Sequence, residues 1–240
     1  MIMADTDIQR ALVVGAHPDD IDFGCAGTVA RWVDAGTEVT YLLITRGDQG
    51  GFDDTPRETM AGIREAEQIA AAAAIGVHDV IFLDGYVDGW VEPTPDLVRD
   101  ISKVIRQVRP QRMLVQSPER NYDRLPASHP DHMAAGEACM RAVYPAARNP
   151  FAFPELLAEG LQAWVVSEVF LMAHPGATHA VDVTDTFDRK IAALRHHVSQ
   201  VGHRAEDLDP MVRGWLTMQA AAGGLPEGRL AETFYVIELQ

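Results

Sequence analysis

Short apolar runs alternate along this chain with longer segments in which apolar residues recur every three or four positions. The short runs are bounded by turn residues and predict buried strands, whereas the longer segments predict helices with one apolar face. Alternation of the two is typical of parallel strands that are joined by crossover helices. The pattern therefore predicts an α/β protein with a mostly parallel sheet.

The predicted elements fill most of the chain. Strands are predicted at residues 11–16, 38–45, 79–85, 112–117, 167–173, 179–183 and 232–239. Helices are predicted at residues 24–35, 55–76, 96–108, 185–199 and 209–222, with a further one that begins near Pro130. In an open parallel sheet, ligands bind at the carboxyl ends of the strands. Three loops at such ends carry acidic residues or histidines, at residues 17–22, 46–54 and 117–132.

Composition limits the classes of protein to consider. With 240 residues, 47% of them hydrophobic, the chain can bury one large core, so a single domain over residues 1–240 is expected. Its net charge of −15, without a run of lysine and arginine, argues against nucleic-acid binding. No signal peptide or membrane-spanning stretch is recognised, and two cysteines do not make a disulfide framework. A cytoplasmic protein is expected, and a homo-oligomer is left open.

Two similar motifs carry the candidate chemistry. The first, GAHPDDIDFGCAGT at residues 15–28, leaves the first strand, and the second, ASHPDHMAAGEA at residues 127–138, follows the fourth. Pro130 suits the first position of a helix, which makes His129 its N-cap and places His132 in its first turn. The positive end of that helix disfavours a protonated imidazole, and a metal ligand must be unprotonated. His132 is therefore well placed to bind a metal.

The two motifs together supply a metal ligand set. His17 and Asp20 lie on one tight turn, and His132 can meet them from the loop after a neighbouring strand. Two histidines and one carboxylate, with the fourth position open to water, are a common ligand set of catalytic zinc. Asp19 is then free to act as a general base towards that water, whose pKa zinc lowers to about 7.

Other interpretations of these motifs exist. Either motif alone is equally consistent with a turn and a helix cap, and it is the second copy that favours a site. A magnesium site with Asp20 and Asp22 would leave both histidines unused. A dinucleotide site is disfavoured because no G-x-G-x-x-G opens the first helix.

At these residues the chain resembles the PIG-L/LmbE family of zinc-dependent N-deacetylases. The resemblance rests on AHPDD and HPDH, and REAEQIAAAAAIGV, FLDGYVDG and KIAALRHHVSQ support it. It implies that His17, Asp20 and His132 bind Zn²⁺ and that Asp19 is the catalytic base. It also implies that His129 stabilises the oxyanion or protonates the leaving amine.

The resemblance extends to two residues that would bind substrate. Arg64 and Asp88 match positions that contact sugar hydroxyls in related deacetylases, although Arg64 could instead pair with a carboxylate on its own helix. The chain has Ile21 where the common motif has glutamate, so the role of the following Asp22 stays open, as does that of His197. The remaining histidines singled out, His78, His174 and His203, are expected to be ordinary surface residues.

The sequence thus predicts a Rossmann-like α/β zinc amidohydrolase. Its substrate would be a small molecule, an N-acetylated amino sugar or small N-acetylglucosaminide, from which it removes the acetyl group. The alternatives are an amidase acting on a mycothiol-type thiol conjugate and a metal-binding protein without turnover. An unligated carboxylate such as Asp19 argues against a purely structural zinc site. Specificity is expected to come from the loops at residues 46–54, 86–95 and 118–128.

Overall fold

The structure, a computed structural model, describes residues 2–239. Its strands are β1 (Arg10–Gly15), β2 (Glu38–Leu43), β3 (Asp79–Phe82), β4 (Arg112–Gln116), β5 (Glu168–Met172), β6 (His179–Asp182) and β7 (Ala231–Glu238). Its helices are α1 (Asp20–Asp34), α2 (Arg57–Ala74), α3 (Pro95–Val108), α4 (Pro130–Arg141), α5 (Pro154–Ala158), α6 (Phe187–His196), α7 (Val198–Val201) and α8 (Leu208–Ala222). All seven predicted strands are present, and the short helix α5 is one that the sequence pattern did not predict.

The strands form one sheet in the order β3-β2-β1-β4-β5-β7-β6. Strands β1 to β5 pair in parallel, and β7 runs antiparallel between β5 and β6. The predicted Rossmann-like α/β fold is therefore confirmed. From β1 the chain adds β2 and β3 on one side and then returns to place β4 on the other. A crevice opens at such a switch point, and in open α/β sheets it is the usual place for a ligand.

Side chains of β1 alternate between two cores, as the two-residue period of a strand requires. Leu12 and Val14 belong to a cluster that includes residues of α3 and α4. Ala11 and Val13 belong to the opposite cluster, which includes residues of α1 and α2. A third cluster joins α6 to α8. Helices thus cover both faces of the sheet, and the loops at the carboxyl ends of its strands remain as the place for a functional site.

Two helices differ most from those predicted. Helix α1 begins at Asp20, not at Gly24, so its first turn contains two aspartates, a composition that the positive end of a helix favours. The helix predicted over residues 185–199 is interrupted at His197, whose ψ of 57° is not helical. At this break the side chain of His197 is fully buried, and its Nε2 lies 2.8 Å from Oδ2 of Asp22. Among residues 2–239, no helix has the length and apolarity that a membrane crossing would need.

Candidate metal and catalytic site

The two motifs meet at the switch point of the sheet. His17 lies just after β1, and His132 lies in the first turn of α4, which follows the neighbouring strand β4. Helix α4 lies so close to the end of β4 that a Cβ at Gly136 would collide with the main-chain oxygen of Gln116. The imidazole centroids of His17 and His132 are 5.4 Å apart. The structure therefore brings the predicted histidines together.

The carboxylate of Asp20 lies between these two imidazoles. Its Oδ2 is 3.2 Å from Nδ1 of His17, and its Oδ1 is 2.9 Å from Nε2 of His132. Burial opposes the ionisation of Asp20, but the attraction of His132 and His17 outweighs it and holds the pKa well below its usual range. Asp20 thus contacts both predicted histidine ligands, and its carboxylate is ionised.

The other ring nitrogen of His17 faces two further carboxylates. Nε2 of His17 lies 3.0 Å from Oδ2 of Asp131 and 3.1 Å from Oδ1 of Asp88. Asp131 is held in place because it also accepts hydrogen bonds from the backbone N–H groups of Gly89 and Val91. Burial lowers the pKa of His17, but the carboxylates at both ring nitrogens accept from its protonated form, outweigh burial and raise the pKa well above its usual value. Asp131 belongs to the second motif but was not among the predicted site residues.

Donor atoms that could hold a metal ion form two overlapping groups within the described chain. One contains His17, His129 and His132, and the other contains His17, Asp88 and Asp131, with the donor atoms of each group within 4.8 Å of one another. Asp88, predicted to contact sugar hydroxyls, is placed against the ring of His17. Its Oδ2 also accepts a hydrogen bond of 2.9 Å from the backbone N–H of Gln49.

His129 caps helix α4, as predicted. Its Nδ1 accepts a hydrogen bond of 3.2 Å from the backbone N–H of Asp131. Burial, together with the neighbouring rings of His17 and His132, lowers the pKa of His129. With Nδ1 engaged as an acceptor, the neutral ring carries its proton on Nε2 and can donate it.

Asp19 has a backbone conformation that is rare for a residue with a side chain. Its φ of 87° lies in the left-handed region, and its N–H donates a 2.9 Å hydrogen bond to Oε1 of Gln68. Burial raises the pKa of Asp19 to about 6, and the nearby guanidinium of Arg64 opposes that rise. At neutral pH the carboxylate is therefore ionised, yet it is a much stronger base than an exposed aspartate.

Arg64 is buried beneath the loop that follows β2. Its Nη1 donates to the carbonyl of Gly47 and its Nη2 to the carbonyl of Pro18, while Nη2 lies 3.4 Å from Oδ2 of Asp19. A Cβ at Gly47 would collide with the guanidinium, and φ at Gly47 is +65°, so glycine fits this position for two reasons. The alternative that Arg64 pairs with a carboxylate of its own helix is wrong. The structure places this arginine where it supports Asp19.

Asp22 and His197, whose roles the sequence left open, bond to each other in the interior. Oδ2 of Asp22 lies 2.8 Å from Nε2 of His197 and accepts a 2.8 Å hydrogen bond from Nε2 of Gln68. All three side chains are fully buried. Since Oε1 of the same Gln68 accepts from the N–H of Asp19, the network links the end of α6 to the turn that carries Asp19. Asp22 is therefore a supporting residue and lies apart from the ligands.

A cavity of about 630 Å³ adjoins Asp20 and His132. Residues of the loop 118–128 line it, as expected, but the predicted loops 46–54 and 86–95 do not, and helix α8 forms much of its wall. His174 also lines it, with a side chain that is only 9% exposed and stacks on Tyr235 at 4.3 Å. The prediction that His174 is an ordinary surface residue is wrong, whereas His78 and His203 are exposed as predicted.

Comparison with known proteins decides the family. The family model described as PIG-L, GlcNAc-PI de-N-acetylase, matches residues 12–143, which contain both motifs. The chain belongs to the PIG-L family. The resemblance that the motifs indicated is thereby confirmed.

Relatives within the PIG-L family extend this match. The chain is 32% identical to a diacetylchitobiose deacetylase from Thermococcus kodakarensis, over 81% of this chain and 71% of the relative. It is 30% identical to a 1D-myo-inositol 2-acetamido-2-deoxy-alpha-D-glucopyranoside deacetylase from Rhodococcus erythropolis, over 80% and 81% of the two chains. The structure of N,N'-diacetylchitobiose deacetylase from Pyrococcus horikoshii superposes with a TM-score of 0.87 at 27% identity, covering 97% of this chain and 85% of that one.

Proposed function

We propose that this protein is a zinc-dependent N-deacetylase that hydrolyses the acetamide of an N-acetylglucosamine derivative. The observation that carries the proposal is the contact of Asp20 with both His17 and His132, next to the unligated carboxylate of Asp19. The relatives support the substrate class, because diacetylchitobiose and the acetamidoglucosyl inositol named for them both contain N-acetylglucosamine.

The donor set fits zinc. The carboxylate of Asp20 lies 3.2 Å from Nδ1 of His17 and 2.9 Å from Nε2 of His132, and nitrogen and carboxylate oxygen are donors that zinc accepts. Nε2 of His17 meets Asp131, the kind of supporting carboxylate that fixes the orientation of a ligating histidine. When bound, zinc supplies a Lewis acid that polarises the amide carbonyl and lowers the pKa of a water molecule.

Asp19 is the general base of the proposed reaction. With a pKa of about 6, its carboxylate takes a proton from the attacking water, whose oxygen then bonds to the amide carbon. Hydrogen bonding through Gln68 and the proximity of Arg64 hold Asp19 in its left-handed conformation. The base is therefore positioned before the substrate binds.

His129 stabilises the negative charge that develops on the carbonyl oxygen of the substrate. Nε2–H of its neutral ring can donate to the carbonyl oxygen as negative charge accumulates there. The C–N bond then breaks, the nitrogen receives a proton, and acetate and the free amine are released. Asp19 holds the proton taken from water and is one source for the amine, and His129 is the other.

The test is amine release from a panel of N-acetylglucosamine derivatives, with protein freed of metal and then supplied with zinc. Activity that depends on zinc is expected for at least one derivative, and an N-acyl thiol conjugate in the same panel tests the alternative amidase activity. His132→Ala should bind far less zinc than the wild type because one of three ligands is lost. Equal zinc content in the two proteins would contradict the ligand assignment.

A further inference from the structure

The cavity beside Asp20 and His132 is larger than the proposed reaction requires. At about 630 Å³, it lies within the range of about 300–1,000 Å³ that is typical of pockets for drug-sized ligands. The acetyl group has three heavy atoms and fills only a small part of such a space. The glucosamine ring takes up a further part, so the remainder has room for a substrate group that extends beyond the N-acetylglucosamine unit.

One wall of the cavity is apolar. Phe23 of α1, Met172 at the end of β5, and Met211, Trp215 and Leu216 of α8 line it. The ring centroids of Phe23 and Trp215 lie 6.4 Å apart, with an angle of 54° between the ring planes, so the two rings form one continuous apolar surface. An apolar group placed against them gains about 25 cal/mol for each Å² of apolar surface that is removed from water.

These side chains do more than pack the interior. Phe23 and Met211 contact the cluster between α6 and α8 but are only partly buried, and Trp215 is partly exposed as well. Each therefore keeps apolar surface that faces the cavity. The guanidinium of Arg124 lies 5.4 Å from the ring centroid of Trp215 and adds a polar rim to the apolar wall.

We propose that the substrate carries an apolar substituent of several carbon atoms, which binds in this cavity between α1 and α8. The inference rests on the proposed function and specifies its substrate class. Two parts of an N-acylated glucosamine could supply the substituent, namely an acyl chain longer than acetyl or an apolar aglycone. Both have the same chemistry, and the experiment below distinguishes them.

The experiment measures kcat/KM of the zinc-loaded protein on two series. One runs from N-acetyl to N-octanoyl glucosamine, and the other runs from the methyl to the octyl glycoside of N-acetylglucosamine. We expect kcat/KM to rise about fourfold per added methylene along one series, the equivalent of about 0.8 kcal/mol for each buried methylene. The series that rises identifies the substituent, and values that stay flat or fall in both series would overturn the proposal.

N-acetylglucosamine and its methyl glycoside, the first members of the two series, test the proposed function separately from the cavity proposal. If N-acetylglucosamine glycosides release no amine, the proposed function fails on its own. Calorimetric binding of the same two series to zinc-loaded Asp19→Asn protein still measures chain-length dependence without turnover. Affinity that does not increase with chain length in either series would then overturn the cavity proposal.

Two variants locate the effect in the cavity. Met211→Trp fills the space and should lower the octyl-to-methyl or octanoyl-to-acetyl ratio of kcat/KM at least tenfold. Met218→Trp is the matched control, since Met218 belongs to the same helix but is 64% exposed and does not line the cavity. Melting temperatures check that both fold, and Trp215→Ala, which removes the aromatic wall, should lower the same ratio. An unchanged ratio in folded Met211→Trp and Trp215→Ala would overturn the proposal.

Discussion

The surroundings of Asp19 suit the role of general base that is proposed for it. Its backbone is left-handed, which costs free energy for any residue with a side chain, and it is held there by Gln68 and Arg64. Burial makes its carboxylate more basic, while the guanidinium of Arg64 limits the rise in pKa to about 6. The two influences together give a group that is ionised at neutral pH and still able to accept a proton.

Replacing Asp19 with asparagine tests that role. Asparagine tolerates a positive φ and is nearly the same size, but its amide cannot accept the proton from water. We expect zinc content to be unchanged and kcat to fall by a factor of about 10² to 10⁴. Metal analysis and amine release measure the two quantities, with Asp54→Asn in an exposed loop as the control. Near-normal turnover with bound zinc would assign the base to another residue.

Gln68 joins Asp19, the proposed base, to the buried pair of Asp22 and His197. In Gln68→Leu the N–H of Asp19 loses its acceptor and Asp22 loses a donor, at a cost of about 1–3 kcal/mol of unfolding free energy. A misplaced base should also lower kcat, by up to about 10²-fold, with little change in KM. The control is Ile69→Leu, at a neighbouring position of α2 that is 49% exposed. Equal losses in kcat and in substrate affinity would speak against a role in positioning Asp19.

Some contacts between residues of the candidate site could be predicted from the sequence, and others could not. His17, Asp20 and His132 could be placed together because they follow strands that the pattern predicts, and because two motifs repeat the same residue types. The contact of His17 with Asp131 and that of Asp22 with His197 join residues 114 and 175 positions apart. No local pattern encodes such contacts, since they depend on how helices pack across the finished sheet.

Helix α4 is the element that carries two histidines to the proposed metal site. His129 caps it, His132 occupies its first turn, and Gly136 one turn later lies against the backbone at the end of β4. The position of this helix relative to β4 therefore decides where His132 lies. The sequence predicted the start of α4 but not this close approach, because a helix pattern does not show which turn touches a strand.

Gly136→Ala tests whether α4 must pack this closely against the end of β4. The added Cβ would meet the main-chain oxygen of Gln116, and backbone cannot rotate away as a side chain can. We expect a loss of about 1–3 kcal/mol of unfolding free energy and a lower zinc content. In Gly214→Ala of α8 the Cβ meets nothing within 4 Å, so this control should gain about 0.5–1 kcal/mol. Urea denaturation measures both, and equal stability of the two variants would contradict the argument.

Across the whole molecule, chemistry and specificity come from different parts of the chain. All proposed ligands and the base lie within residues 12–143, the segment that the family model matches. The apolar wall of the cavity comes mainly from Met172 and from α8, beyond that segment. The sequence predicted α8 as a helix but gave it no role, because its place beside the cavity depends on how it packs against β6 and β7.

The stability of the whole fold should depend on pH through His179, which lies on β6 away from the proposed metal site. Burial, followed by the charge of Arg112, lowers its pKa below the ordinary value of about 6.5, although Asp5 and Glu168 oppose this. Below about pH 6.5 the unfolded chain therefore binds more protons at this position than the folded protein does, and folding is penalised as the pH falls. Above that pH both states are neutral and the penalty vanishes.

His179→Gln removes this titration. We expect the unfolding free energy of the wild type, minus that of the variant, to be smaller at pH 5.5 than at pH 8. Urea denaturation with a chelator present at both pH values measures the difference without a contribution from metal binding. The ring also packs edge-on against Phe170, with centroids 5.4 Å apart, so the variant should be less stable by an amount that does not depend on pH. A difference that stays constant between the two pH values, or grows as the pH falls, would show that the folded protein does not disfavour the charged form of His179.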